Sequence, residues 1–382
     1  MDVLYKSWMT YAEDRSGQRY DLDQLRWRGD DGSPLMISPL PGITPREIDA
    51  GERSLWRYRA AFPVAMDRWT SLGEGCTPML PRRWNDHEVL FKLEWFNPSG
   101  SFKDRGVSVM VSSLAGQGVK ALLEDSSGNG GSSVSAYCAA AGLKAKILAP
   151  AGTSQAKILQ SRAYGAEVEL VPGSRQATSD EAVRQSEQLF YASHNWHPFF
   201  LQGVKTMAYE MWEDLGFRPP DNVVLVAGAG SAVLGCDIAF SEMLLAGQIT
   251  RRPRLLVAQP ENCAPIHRAF HAGVEELVDA EWSPTIAEGT AITSPVRLPE
   301  VLAAIRRSRG DVVAIPEPEI YAATRKLAAM GLYAEPTSAT AAAAIERFAA
   351  KGLISPEQTT VVVLTGSGLK SADKMADVFG GV

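Results

Sequence analysis

A lysine in a glycine-rich turn is the first residue whose type and position suggest chemistry. Lys103 lies in the segment 97–106, Asn-Pro-Ser-Gly-Ser-Phe-Lys-Asp-Arg-Gly, between an apolar run and a stretch with helical spacing of apolar residues. A cation is disfavoured at the start of a helix, because the helix dipole is positive there. We therefore expect a lowered pKa for Lys103, which suits an amine that acts as a nucleophile or base. Taken alone, a lysine in a turn is more often an exposed surface residue.

Two further turns combine small and polar residues in a way that favours anion binding. The segment 125–133, Asp-Ser-Ser-Gly-Asn-Gly-Gly-Ser-Ser, precedes a predicted helix, and the segment 227–235, Ala-Gly-Ala-Gly-Ser-Ala-Val-Leu-Gly, follows an apolar run. Backbone amides at a helix N-terminus bind anions, and glycines let a phosphate approach the backbone. The second turn lacks the GxGxxG spacing of dinucleotide sites, and no acidic residue follows at the end of a next strand about 20 residues later. It therefore fits a single phosphate better than a pyrophosphate.

A fourth turn, 364–370, follows the last apolar run. We expect Thr365, at the end of that run, to point its hydroxyl into a site. In open α/β sheets, ligands bind beyond the carboxyl ends of the strands, which is where such turns lie. The chain alternates short apolar runs with alanine-rich stretches, a pattern typical of parallel sheets covered by helices, and its length suits two such sheets. The predicted strands are 89–93, 145–149, 167–171, 223–226, 255–258 and 360–364, and the predicted helices are 132–141, 156–164, 179–189, 206–215, 319–330 and 339–350.

Composition limits the class of protein. The chain has 382 residues, 45% of them hydrophobic, and a net charge of −6, which argues against a nucleic-acid or anionic-membrane partner. No apolar run approaches the length of a membrane span, and no signal peptide is visible. Four scattered cysteines favour a reducing compartment, so we expect a cytoplasmic protein. The first 70 residues, which carry Trp8, Trp27, Trp56 and Trp69, are predicted to form a loop-rich extension with short strands.

The order and spacing of the four turns resemble one family. Together with the segments 55–58, 71–78, 203–206 and 335–339, they make the chain similar, from about residue 55 onward, to the pyridoxal-phosphate enzymes of fold type II, and among these to threonine synthases. The resemblance implies two open parallel-sheet α/β domains with the cofactor between them, after the N-terminal extension. The implied division is 1–70 for the extension, 71–110 and 206–382 for a large cofactor-binding domain, and 111–205 for a small domain that closes over the substrate.

The resemblance also implies roles for individual residues. Lys103 would form the Schiff base with pyridoxal 5′-phosphate and, once released, take the Cα proton. Asn129 would bind the ring hydroxyl of the cofactor, and Thr365 its ring nitrogen. The cofactor phosphate would be held by Ala227, Gly228, Ala229, Gly230, Ser231 and Ala232, and the substrate by Ser126, Ser127, Gly130 and His197. The activity implied is that of a lyase on a small amino acid such as O-phosphohomoserine, in a homodimer.

Departures from the family keep other functions open. The segment 197–202 lacks an asparagine and an arginine that threonine synthases usually carry there, which removes a forked donor for a phosphate group. A serine or threonine dehydratase, or another elimination enzyme on a non-phosphorylated amino acid, is therefore the alternative. A cofactor-binding protein without catalysis and a nicotinamide enzyme are weaker candidates. His194 and His197 have metal-ligand spacing, but no third ligand lies nearby in the sequence, so we expect no metal.

Overall fold

The strands of the chain form three separate sheets in a computed structural model that describes residues 10–380. Residues 1–9 and 381–382, among them Trp8 and the ends of the predicted ranges 1–70 and 206–382, lie outside the described residues. The strands are β1 Ala12–Glu13, β2 Arg19–Tyr20, β3 Met36–Ile37, β4 Met79–Trp84, β5 His87–Leu93, β6 Ala121–Glu124, β7 Lys144–Pro150, β8 Glu167–Val171, β9 Phe190–Tyr191, β10 Asn222–Val226, β11 Arg254–Pro260, β12 Asp311–Ile315 and β13 Thr360–Leu364.

The large sheet has six strands in the order β12-β11-β10-β13-β5-β4. All neighbours pair in parallel except the edge strand β4, which is antiparallel to β5. Every residue of β10 and β13 is buried, as strands covered on both faces require. The small sheet has four parallel strands in the order β8-β7-β6-β9.

The helices connect these strands and cover their faces. They are α1 Lys103–Gly116, α2 Asn129–Ala141, α3 Gln155–Ala163, α4 Arg175–Gln185, α5 Pro198–Val204, α6 Thr206–Asp214, α7 Ser231–Leu245, α8 Pro265–Ala272, α9 Leu298–Arg307, α10 Glu317–Ala329, α11 Pro336–Ala350 and α12 Ala372–Phe379. Short 3₁₀ turns occupy Pro45–Glu47, Leu55–Ala61, Glu94–Phe96, Glu261–Cys263, Glu288–Thr290 and Gly368–Ser371. In the part of the chain that the structure describes, no helix is both long enough and apolar enough to cross a bilayer.

The N-terminal extension carries the third sheet, with two-residue strands in the order β2-β1-β3. It contacts helix α9, which packs on the large sheet, and strand β9 of the small sheet. Arg15 forms a forked ion pair with Glu300 of α9, at 2.8 and 2.9 Å. Trp27 packs edge-on against Tyr191 and Trp196, at ring-centroid distances of 5.0 and 5.3 Å. The extension is thus loop-rich with short strands and packed through aromatic residues, as the sequence predicts.

The predicted fold class is confirmed, and most predicted elements are found with small boundary shifts. The helix predicted at 179–189 is wrong at both ends, because Ser174 accepts a hydrogen bond from the Ala177 amide at 3.2 Å and caps a helix that begins at Arg175 and ends at Gln185. The division into domains stays a prediction. The strands of the small sheet fall within 121–191, and those of the large sheet fall within 79–93 and 222–364.

A buried ion-pair network fixes the turn that carries Lys103. The guanidinium of Arg105, which is fully buried, donates to Glu94 at 2.7 and 2.8 Å and to Glu210 at 3.0 Å. Glu210 also accepts from the buried ammonium of Lys92 at 2.7 Å. Burial alone would raise the pKa of Glu210, but Arg105 and Lys92 hold that pKa well below its usual range. The network therefore ties the end of β5, the start of α1 and helix α6 to one another.

Replacing Arg105 by methionine should destabilise the protein strongly. The apolar side chain fills much of the same volume but leaves the buried carboxylate of Glu94 without a cation and that of Glu210 with Lys92 alone, which costs about 3–5 kcal/mol. Urea unfolding measures the free energy of unfolding. In the control Arg251→Ala, which removes an exposed pair with Asp221 at 2.6 Å, the loss should be about 0–1 kcal/mol. Equal losses in the two variants would contradict the structural role of Arg105.

Candidate active site

Three of the four predicted site turns lie at one edge of the large sheet. Strands β5, β13 and β10 are parallel neighbours, so the turns that follow them lie at the same edge. The turn after β5 touches the turn after β13, because the Phe102 amide donates to the Thr365 carbonyl at 2.9 Å and Ser101 bridges Gly366. Lys103 and Thr365 are therefore brought together, although 262 positions separate them.

Lys103 begins α1 and presents an amine without a polar partner. Its Nζ lies 4.7 Å from the ring centroid of Phe102 and 5.6 Å from that of Phe200, and it makes no hydrogen bond to any described residue. Burial lowers the pKa of Lys103 to about 8, although the nearby carboxylates of Glu124 and Glu335 favour the charged form. The direction agrees with the sequence prediction, and the main cause is burial. Such an amine is a competent nucleophile near neutral pH.

Asn129 is oriented by a buried carboxylate that carried no role in the sequence analysis. Its amide Nδ2 donates to the two carboxylate oxygens of Glu335, at 3.2 and 3.3 Å. Glu335 comes this close to the turn after β13 because Gly366 has no side chain, since a Cβ there would lie 2.5 Å from Glu335 Oε1. Burial raises the pKa of Glu335, while Asn129, Lys370 and Lys103 favour its charged form.

The hydroxyl of Thr365 belongs to a neutral pair. Thr365 Oγ1 lies 3.0 Å from Ser338 Oγ, which also accepts from the Gly366 amide at 2.9 Å. Ser338 lies in the first turn of α11, three residues after Glu335. A ligand atom at this position would meet a hydroxyl and not a carboxylate, so a heterocyclic nitrogen here would not be held in its protonated form.

The turn after β10 offers a row of free backbone donors. None of the N–H groups of residues 228–233 finds an acceptor among the described residues, and they lie at the start of the 15-residue helix α7. Gly230 has a φ of +87°, and a Cβ there would lie 2.3 Å from Val301 Cγ2. Free amides at the positive end of a helix dipole form an anion site, and this one suits a single phosphate.

A second row of free donors starts α2. The amides of residues 126–131 also have no acceptor among the described residues. The loop is tightly wound, because a Cβ at Gly131 would lie 1.9 Å from the Ser126 carbonyl oxygen and one at Gly130 would lie 2.7 Å from the His194 ring. Asp104 anchors the loop to the lysine turn by accepting from Ser133 Oγ at 2.5 Å. A carboxylate is the ligand that this loop suits best.

His197 is the predicted site residue that the structure does not bring to this cluster. Its ring packs against Phe190 and Phe199, at centroid distances of 5.8 and 5.9 Å, on the side of the N-terminal extension. Burial lowers its pKa to about 3. The histidine that does reach the anion loop is His194, whose Nδ1 lies 3.1 Å from the Glu124 carboxylate.

Lys370 joins the last turn to the small sheet. Its ammonium donates to Ser99 O at 3.0 Å and to Ser132 Oγ at 2.7 Å, and it contacts Gln160 of α3. Lys157 of α3 pairs with Glu288, next to the turn after β10. The sequence analysis assigned no role to Lys370, Glu335 or Glu124. Lys370 ends the predicted turn 364–370 and Glu335 begins the segment 335–339, whereas no predicted strand or helix borders Glu124.

The chemistry of these donors fits pyridoxal phosphate. The unpartnered Lys103 amine suits its aldehyde, the free amides of 228–233 suit its phosphate, and the neutral hydroxyl of Thr365 suits its ring nitrogen. Gly230 borders the position proposed for the phosphate, and a side chain there would collide with Val301. The residues present therefore match the group in charge, size and functional class.

Comparisons with known proteins agree with this cofactor. Residues 70–366 match the family described as pyridoxal-phosphate dependent enzyme. Threonine synthase of Methanocaldococcus jannaschii is 32% identical over 94% of this chain and 92% of its own length. The solved structure of maize serine racemase is similar with a TM-score of 0.66 at 20% identity, covering 80% of this chain and 92% of that one. A solved threonine deaminase from T.th. has a TM-score of 0.64 at 26% identity, covering 76% and 92%.

The reactivity of Lys103 should follow its lowered pKa. Because the neutral amine attacks an aldehyde, capture of Lys103 by pyridoxal 5′-phosphate should rise with pH and reach half its limit near pH 8, the approximate pKa. A lysine of ordinary pKa is below about 1% neutral at that pH. Brief exposure of the cofactor-free protein, borohydride reduction and peptide mass spectrometry measure the capture. A midpoint near that of an ordinary lysine would contradict the buried position of the amine.

Replacing Gly230 by alanine should weaken cofactor binding. The new Cβ meets Val301 and forces the amides of the phosphate loop to move, so we expect Kd to rise by at least about tenfold, equivalent to 1.4 kcal/mol. Cofactor fluorescence titration measures Kd. Gly247→Ala is the matched control, since Gly247 also has a positive φ, +68°, but a Cβ there meets nothing within 4 Å. Similar Kd values for Gly230→Ala and the parent protein would remove the loop from the site.

Proposed function

The chain belongs to the family of pyridoxal-phosphate-dependent enzymes and is a threonine synthase-like lyase of fold type II, and we propose that it converts O-phosphohomoserine and water to threonine and phosphate. The observation that carries the proposal is an unpartnered buried amine at the edge of the large sheet where the free amides of 228–233 also lie, with the second row of free amides, 126–131, joined to the lysine turn through Asp104 and Ser133. The near full-length similarity to a threonine synthase supports the choice of substrate.

The side chains divide the work of such a reaction. Bound pyridoxal phosphate supplies an electron sink for negative charge that develops at the Cα atom of an amino acid. We assign to Lys103 Nζ the covalent hold on the cofactor aldehyde and the transfer of the Cα proton. Residues 126–131 would bind the substrate carboxylate through their amides, and residues 228–233 the cofactor phosphate.

Two neighbours would tune the cofactor. Glu335 orients the Asn129 amide, so that its remaining N–H group can serve the ring hydroxyl. The Thr365–Ser338 pair would leave the ring nitrogen without a positive charge, which would weaken the electron sink and favour elimination and replacement over chemistry that needs a longer-lived carbanion. Lys370 and Ser132 are hydrogen-bonded to each other on the side toward α3.

We further propose that the enzyme acts in the cytoplasm as a homodimer. All four cysteines are free, and three of them are buried, which suits a reducing compartment. Leu369, 80% exposed, and Phe96, 59% exposed, are the kind of apolar surface that a second copy would cover. Sedimentation of the cofactor-loaded protein should give twice the mass of one chain.

The substrate proposal predicts a defined set of products. The cofactor-loaded enzyme should release phosphate and threonine in equal amounts from O-phosphohomoserine, without ammonia or a 2-oxo acid. Lys103→Ala should lose turnover by several orders of magnitude while keeping its circular dichroism spectrum, because the amine is the group that moves the proton.

The opposite product pattern would identify the alternative reaction. Ammonia and a 2-oxo acid from free threonine or serine, with no phosphate from O-phosphohomoserine, would assign a dehydratase. That outcome would fit the apolar ring of Phe200, which stands beside Lys103 at a position where threonine synthases usually carry arginine. It would overturn the proposed substrate but not the role of Lys103.

A further inference from the structure

A buried glutamate–histidine pair lies beside the site and has no role in the reaction described so far. Glu124 ends strand β6, and its side chain is fully buried. His194 follows β9, the neighbour of β6 in the small sheet, and is 6% exposed. His194 Nδ1 lies 3.1 and 3.2 Å from the two carboxylate oxygens of Glu124. The two residues are 70 positions apart in sequence.

The hydrogen bonds around Glu124 favour one tautomer of His194. Besides the ring, the carboxylate accepts from the Asp125 amide at 3.0 Å and from the His194 amide at 3.1 Å. Each carboxylate oxygen thus already serves as an acceptor for a backbone N–H group. The ring nitrogen that faces this acceptor then carries the proton, and Nε2 keeps its lone pair. Nε2 makes no hydrogen bond to any described residue, so its lone pair is available.

Three contacts place the imidazole next to the reacting groups. The ring lies against Gly130 of the anion loop, where a Cβ would come within 2.7 Å of Nδ1 and Cε1. It also contacts the ring of Phe200, at a centroid distance of 5.7 Å. Lys103 Nζ lies 5.6 Å from the centroid of the same Phe200 ring. His194 therefore borders both the proposed carboxylate loop and the space around Lys103.

We propose that His194 is a second acid–base group of this site and that Glu124 is its positioning residue. The inference rests on the proposed function, which needs a proton to leave the water that enters at the β-carbon. In this step the water oxygen bonds to the β-carbon, its O–H bond breaks, the proton moves to His194 Nε2, and the Cα–Cβ π bond, which forms after phosphate has left the γ-carbon, breaks. The electron pair displaced toward Cα takes a proton from the Lys103 ammonium, and His194 then returns its proton to Lys103, so that both groups are restored.

The electrostatic surroundings suit this division. Lys103 and Arg175 disfavour a positive charge on His194, and Asp125 favours it. Burial, first, and Lys103, second, lower the pKa of His194 well below its usual range, so the resting imidazole is neutral and able to accept a proton. Burial raises the pKa of Glu124, while Arg175 and Lys103 favour its charged form, and a nearby carboxylate stabilises the imidazolium that forms in the step.

The tautomer of His194 tests the arrangement without substrate or cofactor. Nitrogen-15 NMR of the histidine-labelled, cofactor-free protein distinguishes a protonated Nδ1 from a protonated Nε2. The protein has five histidines, and the signal lost in His194→Asn, or the one left after the other four are assigned, belongs to His194. We expect a neutral ring protonated at Nδ1, and a shift toward the Nε2-protonated form in Glu124→Gln, whose amide can donate. A ring protonated at Nε2 in the parent protein would overturn the proposal.

Steady-state kinetics test the chemical role. Asparagine at position 194 keeps a donor toward Glu124 and removes the base, so kcat on O-phosphohomoserine should fall by about 10²–10⁴-fold with KM changed little. Glu124→Gln should lower kcat less, and its pH profile should shift, because the carboxylate no longer stabilises the imidazolium. His87→Asn, at the first residue of β5, is the control and should leave kcat unchanged.

The two proposals fail in distinguishable ways. An unchanged kcat in a folded His194→Asn protein would overturn the acid–base role and leave the substrate intact. An inactive parent enzyme would overturn the substrate, while the ring tautomer would still decide the position of the lone pair. If His194→Asn does not fold, as circular dichroism would reveal, His194→Gln takes its place in the same measurements. A rise in KM with kcat unchanged would assign His194 to substrate binding and contradict the proposal.

Discussion

A buried guanidinium between two carboxylates is the interaction on which the site depends. Arg105 follows Lys103 by two residues and is held by Glu94 at the end of β5 and by Glu210 of α6. Buried charges are tolerated only where geometry and hydrogen bonding are nearly complete, so this network leaves the first turn of α1 one position. Lys103, at the start of the same helix, is therefore held in one position. The lysine proposed to react is thus fixed by neighbours that have no role in the proposed chemistry.

The rest of the site consists of backbone N–H groups that have no hydrogen-bond acceptor among the described residues. Two helices, α2 and α7, begin with backbone amides that find no acceptor among the described residues, and each row of amides is shaped by glycines that approach another backbone or side chain closely. Helix α5 comes near α1 in the same way, since a Cβ at Gly203 would lie 2.0 Å from the Arg105 carbonyl oxygen. This close approach brings the ring of Phe200 beside Lys103. Absent side chains therefore determine the shape of the site as much as present ones do.

Local sequence patterns predicted the fold class and the positions of the four turns, and long-range contacts explain the rest. Valine-rich runs predict β10 and β13, because strands buried on both faces need no alternation of apolar and polar residues. Strand β6 was not predicted, since its four residues end in a buried glutamate that breaks the apolar run. His194 was considered only as a metal ligand, because its partner Glu124 is distant in sequence and leaves no local pattern. The role predicted for His197 stays untested, although the structure places that ring away from Lys103.

The groups of the proposed active site come from two different sheets. Lys103 and Thr365 belong to turns of the large sheet, whereas Glu124, His194 and the loop at 126–131 belong to the small one. Contacts such as Asp104 with Ser133 and Lys370 with Ser132 join the two sets. A substrate long enough to contact both sheets would bring together all the groups that transfer protons. A shorter substrate would leave these groups apart. Discrimination between amino acids of different length would then follow from assembly of the catalytic apparatus itself, without a dedicated recognition pocket.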